Sequence, residues 1–172
     1  MDTIKAILDR RSIRKYNDKP VPKEMVGKLL RAAMYAPSAR NYRPWQFIIA
    51  NERHILNDLS EMHPYAKMLK QATLAIIVCG DLSVEKEEGY LAVNCAAATQ
   101  NILLAAYALG LGSVWLGLYP RRARIIDVQK YFKLPPNIVP ISLIAIGWPA
   151  EEKSRPERFE EGRIHYNLWE GR

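Results

Sequence analysis

The sequence predicts one globular domain that mixes helices with buried strands, and three features carry that expectation. Residues 90–119 contain no charged side chain, although 25% of the 172 residues are charged. The runs 72–80 and 139–147 are of strand length and nearly all apolar, the pattern of strands covered on both faces. At 49% hydrophobic, a chain of this length buries a sizeable core without a second domain.

Taken in order, residues 3–8 form a short helix with Ile4, Ile7 and Leu8 on one face, followed at once by Arg10, Arg11, Ser12 and Arg14. A turn at 18–22 carries two prolines, and the second suits the first turn of a helix. Met25, Val26, Leu29, Leu30, Ala33 and Met34 then recur at helical spacing to 36, where Pro37 stops them. The loop 38–43 leads through Pro44 into a strand at 45–50. Helices are expected at 52–60 and 65–71, with His54 and His63 on the surface. The strand at 72–80 belongs at the sheet's centre. Residues 81–89 are a short polar connector.

The stretch 90–109 is rich in Ala and Leu and free of Pro and Gly, which favours a helix long enough to cross the domain. Gly110 and Gly112 end it, and 113–118 resumes as a strand. Asn94, Thr99, Gln100, Asn101 and the two glycines argue against a membrane span. A helix apolar on nearly all sides in a domain this small calls for a partner subunit, so a homodimer is expected from this helix alone. A helix from 121 is stopped by Pro135 and Pro136, and 139–147 is the last core strand. Beyond 148 the composition turns charged, then Ile164, Tyr166 and Leu168 alternate as in a strand with one buried face. Such a strand suits an extension, 148–172, that pairs on a neighbouring subunit.

The net charge is +7. Its basic residues form two short clusters with no basic helix and no nucleic-acid motif, so a small phosphorylated ligand fits better than nucleic acid. The Arg10, Arg11, Ser12 and Arg14 cluster offers guanidinium forks and a hydroxyl to a phosphate, or is a solvated basic loop. The run 121–124 is a solvated helix face or a site for a nicotinamide cofactor's phosphates. Cys79 and Cys95 read as small buried hydrophobes, and no Cys or His stands at metal-ligand spacing from another. Gly110-Leu111-Gly112 lacks a third glycine and precedes a strand, contrary to a dinucleotide fingerprint. Neither a P-loop nor a nucleophile elbow is present. Met1 to Leu8 lacks the apolar core of a secretory signal, so a cytoplasmic protein is expected.

Three motifs in register, RRSIRKY, PSARNYRPWQF and ALGLGSVWLG, resemble the nitroreductase family over nearly the whole chain. The resemblance implies an α+β fold with a central, mixed but mostly antiparallel sheet flanked by helices. It also implies an intertwined homodimer with a long interface helix, an exchanged C-terminal tail and two FMN sites lined by both subunits. By that resemblance Arg10, Arg11, Ser12 and Arg14 hold the FMN phosphate and ribityl chain. Pro37, Ser38 and Asn41 approach the flavin from the other subunit. Trp115, Leu116 and Gly117 lie against the flavin ring, with a backbone amide near N5. Arg158 most nearly matches a late basic residue at the phosphate, with Lys153 and Arg155 as further candidates. Two positions depart from the family pattern: Arg43 stands where Gln is common, and Leu116 where many longer members have Glu. No catalytic side chain and no metal is implied. The activity implied is electron transfer by a ping-pong mechanism from NADH or NADPH to an electron-poor small-molecule acceptor, with a specialised reaction of one substrate as the alternative within the family and a non-enzymatic, basic anion- or nucleic-acid-binding dimer as the alternative outside it.

Overall fold

A computed structural model describes residues 2–169. Nine regular elements follow in order: α1 (Thr3–Asp9), α2 (Lys23–Met34), β1 (Trp45–Ala50), α3 (Arg53–Met62), β2 (Leu74–Asp81), α4 (Glu88–Ala108), β3 (Gly112–Gly117), α5 (Arg122–Tyr131) and β4 (Ile138–Gly147). The strands form one sheet in the order β1-β2-β4-β3, and every ladder is antiparallel. Among the described residues the parallel component of the expected mixed sheet is a single bridge, Ser12 to Ser113.

The sheet's two faces explain its sequence. Ile76, Val78, Ile144 and Ile146 pack with Leu29, Leu91, Cys95 and Ile102 of α2 and α4. Their neighbours Ile77, Cys79 and Leu143 pack on the opposite face with Leu56 and Leu59 of α3 and Val128 of α5. Side chains alternate across a strand, so β2 and β4 must be apolar at nearly every position. Burial pushes both thiols up to about 12, so Cys79 and Cys95 behave as the small hydrophobes expected.

Helix α4 is long and apolar enough to cross a membrane, yet here it lies across the sheet. Its polar residues tie it in place. Thr99 Oγ1 lies 2.8 Å from Ser142 Oγ, and Asn101 Nδ2 donates to the Ala32 carbonyl at 2.9 Å. The helix ends on Gly110, at φ 78, with Leu111 N donating to Ala106 O at 2.8 Å and Gly110 N to Tyr107 O at 3.0 Å. That pair of bonds is a Schellman stop, and the left-handed residue it needs is a glycine. One face of α4 is core; the other leaves Val93 66% exposed beside Tyr90.

Three expectations change. Residues 65–71 make only a 3₁₀ turn, Lys67–Lys70. His63 is buried, because its ring closes the gap between the end of α3 and the end of β3. The tail divides in two. Asn17 N donates to Trp148 O, and Ala150 N to Lys15 O, both at 2.9 Å, so residues 148–155 run along the chain's own N-terminal segment. Farther on, 164–169 form no ladder, and Tyr166 is 82% exposed. A strand without a neighbour cannot satisfy its backbone groups, and the described residues of the chain supply none there. Residues 170–172 of the expected extension lie outside the described residues.

Candidate functional site

The first constellation gathers where α1 ends. Asp2 caps the helix start by accepting from Ile4 N at 2.8 Å. At the other end Arg11 donates to the carbonyls of Leu8, Arg10 and Ser154, so its guanidinium closes the helix and ties down the tail. Arg10 is different. Its Nε is buried and has no hydrogen-bond partner among the described residues. Burial, with Arg11 and Arg158 adding like charge, holds its pKa below the ordinary value. A half-buried guanidinium with an idle, buried Nε–H beside like charges is costly in the free protein and is relieved by an anion.

The segment after Arg11 is fastened on both sides. Ile13 N donates to Ser113 O at 3.0 Å, and Tyr16 Oη donates to Ile13 O at 2.5 Å and Ala145 O at 3.2 Å. From the tail, Glu151 Oε1 accepts from Arg14 N at 2.6 Å, and Lys153 Nζ donates to Ser12 O at 2.7 Å. Arg155 pairs with Asp9 at 3.7 Å. Together with the loop after α4 these residues enclose a cavity of about 450 Å³, whose cations are Arg10, Arg11, Lys153 and Arg155. Arg14 is exposed, and neither it nor Arg158 is in the cavity's lining. Arg158 instead acts on Arg10 through its charge. The spacing Lys153-x-Arg155, close to the point where the tail leaves β4, was the signal for the two late cations.

The second constellation is the loop after α2. Arg40, Asn41 and Arg43 all have positive φ, at 54, 57 and 49. Non-glycine residues rarely adopt that conformation, and clusters of it mark functional loops. The loop is held by Arg43 N donating to Ser38 Oγ at 3.0 Å and Ala39 N to Asn94 Oδ1 at 2.9 Å. Arg40 reaches the buried Glu85 at 3.3 Å. Pro37, Ser38 and Asn41 take no part in lining the cavity beside Arg10 in this chain.

The third is the free edge of β3. Leu116 is buried in the core, whereas Trp115 is 36% exposed. The antiparallel ladder alternates, so Ser113, Trp115 and Gly117 turn their backbone groups away from β4. Ser113 O accepts from Ile13, and Gly117 O accepts from Arg124 Nη1 at 2.8 Å and meets His63 Nε2 at 3.1 Å. A Cβ built on Gly117 would come no nearer than 4.0 Å to a neighbouring heavy atom, so the space over this residue is open. His63 and Arg124 escaped the sequence reading, because a lone His near a helix end and an Arg in a basic run look like surface.

The profile of the Nitroreductase family matches residues 7–63 and 57–148. The chain belongs to the nitroreductase family. A relative from Methanothermobacter thermautotrophicus, provisionally named NADH dehydrogenase/NAD(P)H nitroreductase, is 47% identical over 98% of this chain and 88% of its own length. A crystal structure under the same provisional name from Parabacteroides distasonis superposes with a TM-score of 0.93 at 44% identity, covering 97% of this chain and 98% of that one. A provisionally named nitroreductase from Desulfovibrio desulfuricans, solved in complex with FMN, gives a TM-score of 0.86 at 30% identity over 98% of each chain. The nitroreductase α+β fold expected from the motifs is thus the fold of the chain.

Proposed function

We propose that the chain is an FMN-dependent oxidoreductase working as a homodimer, and the single observation that carries this is Arg10. A half-buried guanidinium whose Nε is unpartnered among the described residues, in a cavity lined by Arg11, Lys153 and Arg155 against Asp9, Glu151 and Glu152, fits a phosphate dianion. The solved relative with FMN and the membership of the family supply the ligand class. FMN when bound supplies the redox chemistry, taking hydride from NADH or NADPH and passing electrons to an electron-poor acceptor, such as a nitro compound or quinone, in ping-pong order.

The chain's own residues position and exclude. Arg10, Lys153 and Arg155 neutralise the phosphate, with Ser12 and Arg14 on the adjoining segment and Arg158 adding positive potential. Arg11 holds the helix end that carries Arg10. Trp115 and Gly117 present the open edge of β3 with Leu116 buried between them, and the glycine leaves room for a flat ring. Pro37, Ser38 and Asn41 do not line the cavity of their own protomer, which supports a contribution across a dimer. The apolar residues left on one side of α1 and α4, including Ile4, Ile7 and Val93, are the surface that such a partner covers.

Stopped-flow mixing of the FMN-loaded protein with NADH, and separately with NADPH, tests this reading. Bleaching of the yellow flavin band followed by its return on adding a nitroaromatic or quinone is the expected result. A bound flavin that neither nucleotide reduces would overturn it.

A further inference from the structure

His63 is a buried imidazole, 3% exposed, at the C-terminal end of α3. Its Nδ1 accepts from Tyr65 N at 3.2 Å, so that nitrogen carries no proton. The proton therefore sits on Nε2, which donates to Gly117 O at 3.1 Å. Arg124 Nη1 donates to the same oxygen at 2.8 Å. On the far side of that peptide, Leu118 N donates to Ile141 O at 3.2 Å. The peptide unit after Gly117 is thereby pinned at both ends. The N–H of Gly117 faces the free edge with its carbonyl, and the direction a Cβ would take is open.

We propose that His63 is a positioning residue which, as its neutral Nε2–H tautomer, works with Arg124 to hold the Gly117 backbone in the orientation that receives the flavin, and that protonating His63 releases it. This rests on the flavin reading above. Protonation would set an Nδ1–H against the Tyr65 N–H. The groups facing the ring are Arg124 of α5, whose guanidinium lies 5.8 Å over the Tyr65 ring, and Tyr65 itself, whose ring is 6.0 Å away edge-on. The Arg124 charge opposes a second cation there. Burial first, and then Arg124, hold the His63 pKa below its ordinary 6.5, against the pull of the Gly117 carbonyl. The clamp is therefore closed at neutral pH and opens only in acid.

Two experiments test it. FMN affinity is titrated by fluorescence from about pH 7.5 down past the His63 ring titration, itself read by NMR, in the wild type and in His63→Gln, whose amide keeps a donor at the Nε2 position but does not titrate. The ratio of wild-type to variant Kd is expected to rise as the pH falls through the His63 pKa, by up to about tenfold per unit. A ratio constant within about twofold would overturn the proposal, since one unit of coupled titration is tenfold. In wild-type protein free of flavin, the Gly117 amide resonance is expected to titrate with the pKa of the His63 ring. A Gly117 resonance indifferent to that titration would also overturn it, whether or not the variant folds. If FMN binds neither protein at any pH, the flavin reading fails, and the resonance titration still decides the clamp.

Discussion

Replacing Arg10 with Met should make the flavin-free protein more stable while destroying its hold on FMN. Met keeps a flexible apolar stem of similar reach and removes a charge whose Nε is buried without a partner. Leaving a buried donor unmade costs about 1–3 kcal/mol, so relief of that penalty and of the Arg11 and Arg158 repulsion is expected to raise unfolding stability by about 1–2 kcal/mol. With a urea m-value of about 1–3 kcal/mol/M, the midpoint moves up by roughly 0.5–1 M. Losing a charge-assisted bond to a desolvated phosphate costs about 2–5 kcal/mol, and a loss near 3 kcal/mol weakens FMN roughly 100-fold. Urea unfolding followed by circular dichroism, with FMN titrated by fluorescence quenching, reads both quantities. A variant less stable than wild type with unchanged FMN affinity would refute the reasoning, since it would make Arg10 an ordinary structural residue.

Three further outcomes are expected. Gly117→Val should leave the urea midpoint within about 0.3 M, because a Cβ there meets open space and a β-branched residue suits a strand, yet should abolish FMN uptake by filling that space. Gly112→Ala should cost about 1–3 kcal/mol in urea unfolding and weaken FMN as well, because its Cβ would lie 2.7 Å from Ile13 Cγ2 and push the segment that follows Arg11. The Glu151 carboxylate is held below its ordinary 4.5, chiefly by the Arg14 N–H and further by Lys153. A depressed carboxylate stabilises the fold above its unfolded pKa, so this contribution is full above 4.5 and is lost as the pH falls through the folded value. Glu151→Gln should flatten that acid limb of the urea midpoint, and a variant whose acid limb matches wild type would contradict the assignment.

Much of the fold was legible because it rests on burial. β2 and β4 are covered on both faces, and such strands announce themselves as unbroken apolar runs. The strand at β1 was placed at its observed bounds, Trp45–Ala50, by the prolines and polar loop before it. The stop of α4 was legible from Gly110. What escaped were features set by distant partners. His63 is buried only because the end of β3 comes to meet it, 54 residues away in sequence. Arg11 and Arg10 are neighbours with the same side chain, and nothing local shows that one closes a helix while the other is left unpartnered. The order of the late cations was not legible for the same reason. Lys153 and Arg155 line the cavity because residues 148–155 run back along the N-terminal segment, whereas the alternating pattern at 164–168 finds no strand to pair with among the described residues.

Native mass spectrometry of the purified chain tests the central claim most directly, because it reads subunit number and bound flavin in one spectrum. A dimer carrying two FMN molecules, one per chain, is the predicted result. A monomer that stays free of flavin after incubation with excess FMN would contradict both the interfacial site and the role given to Arg10.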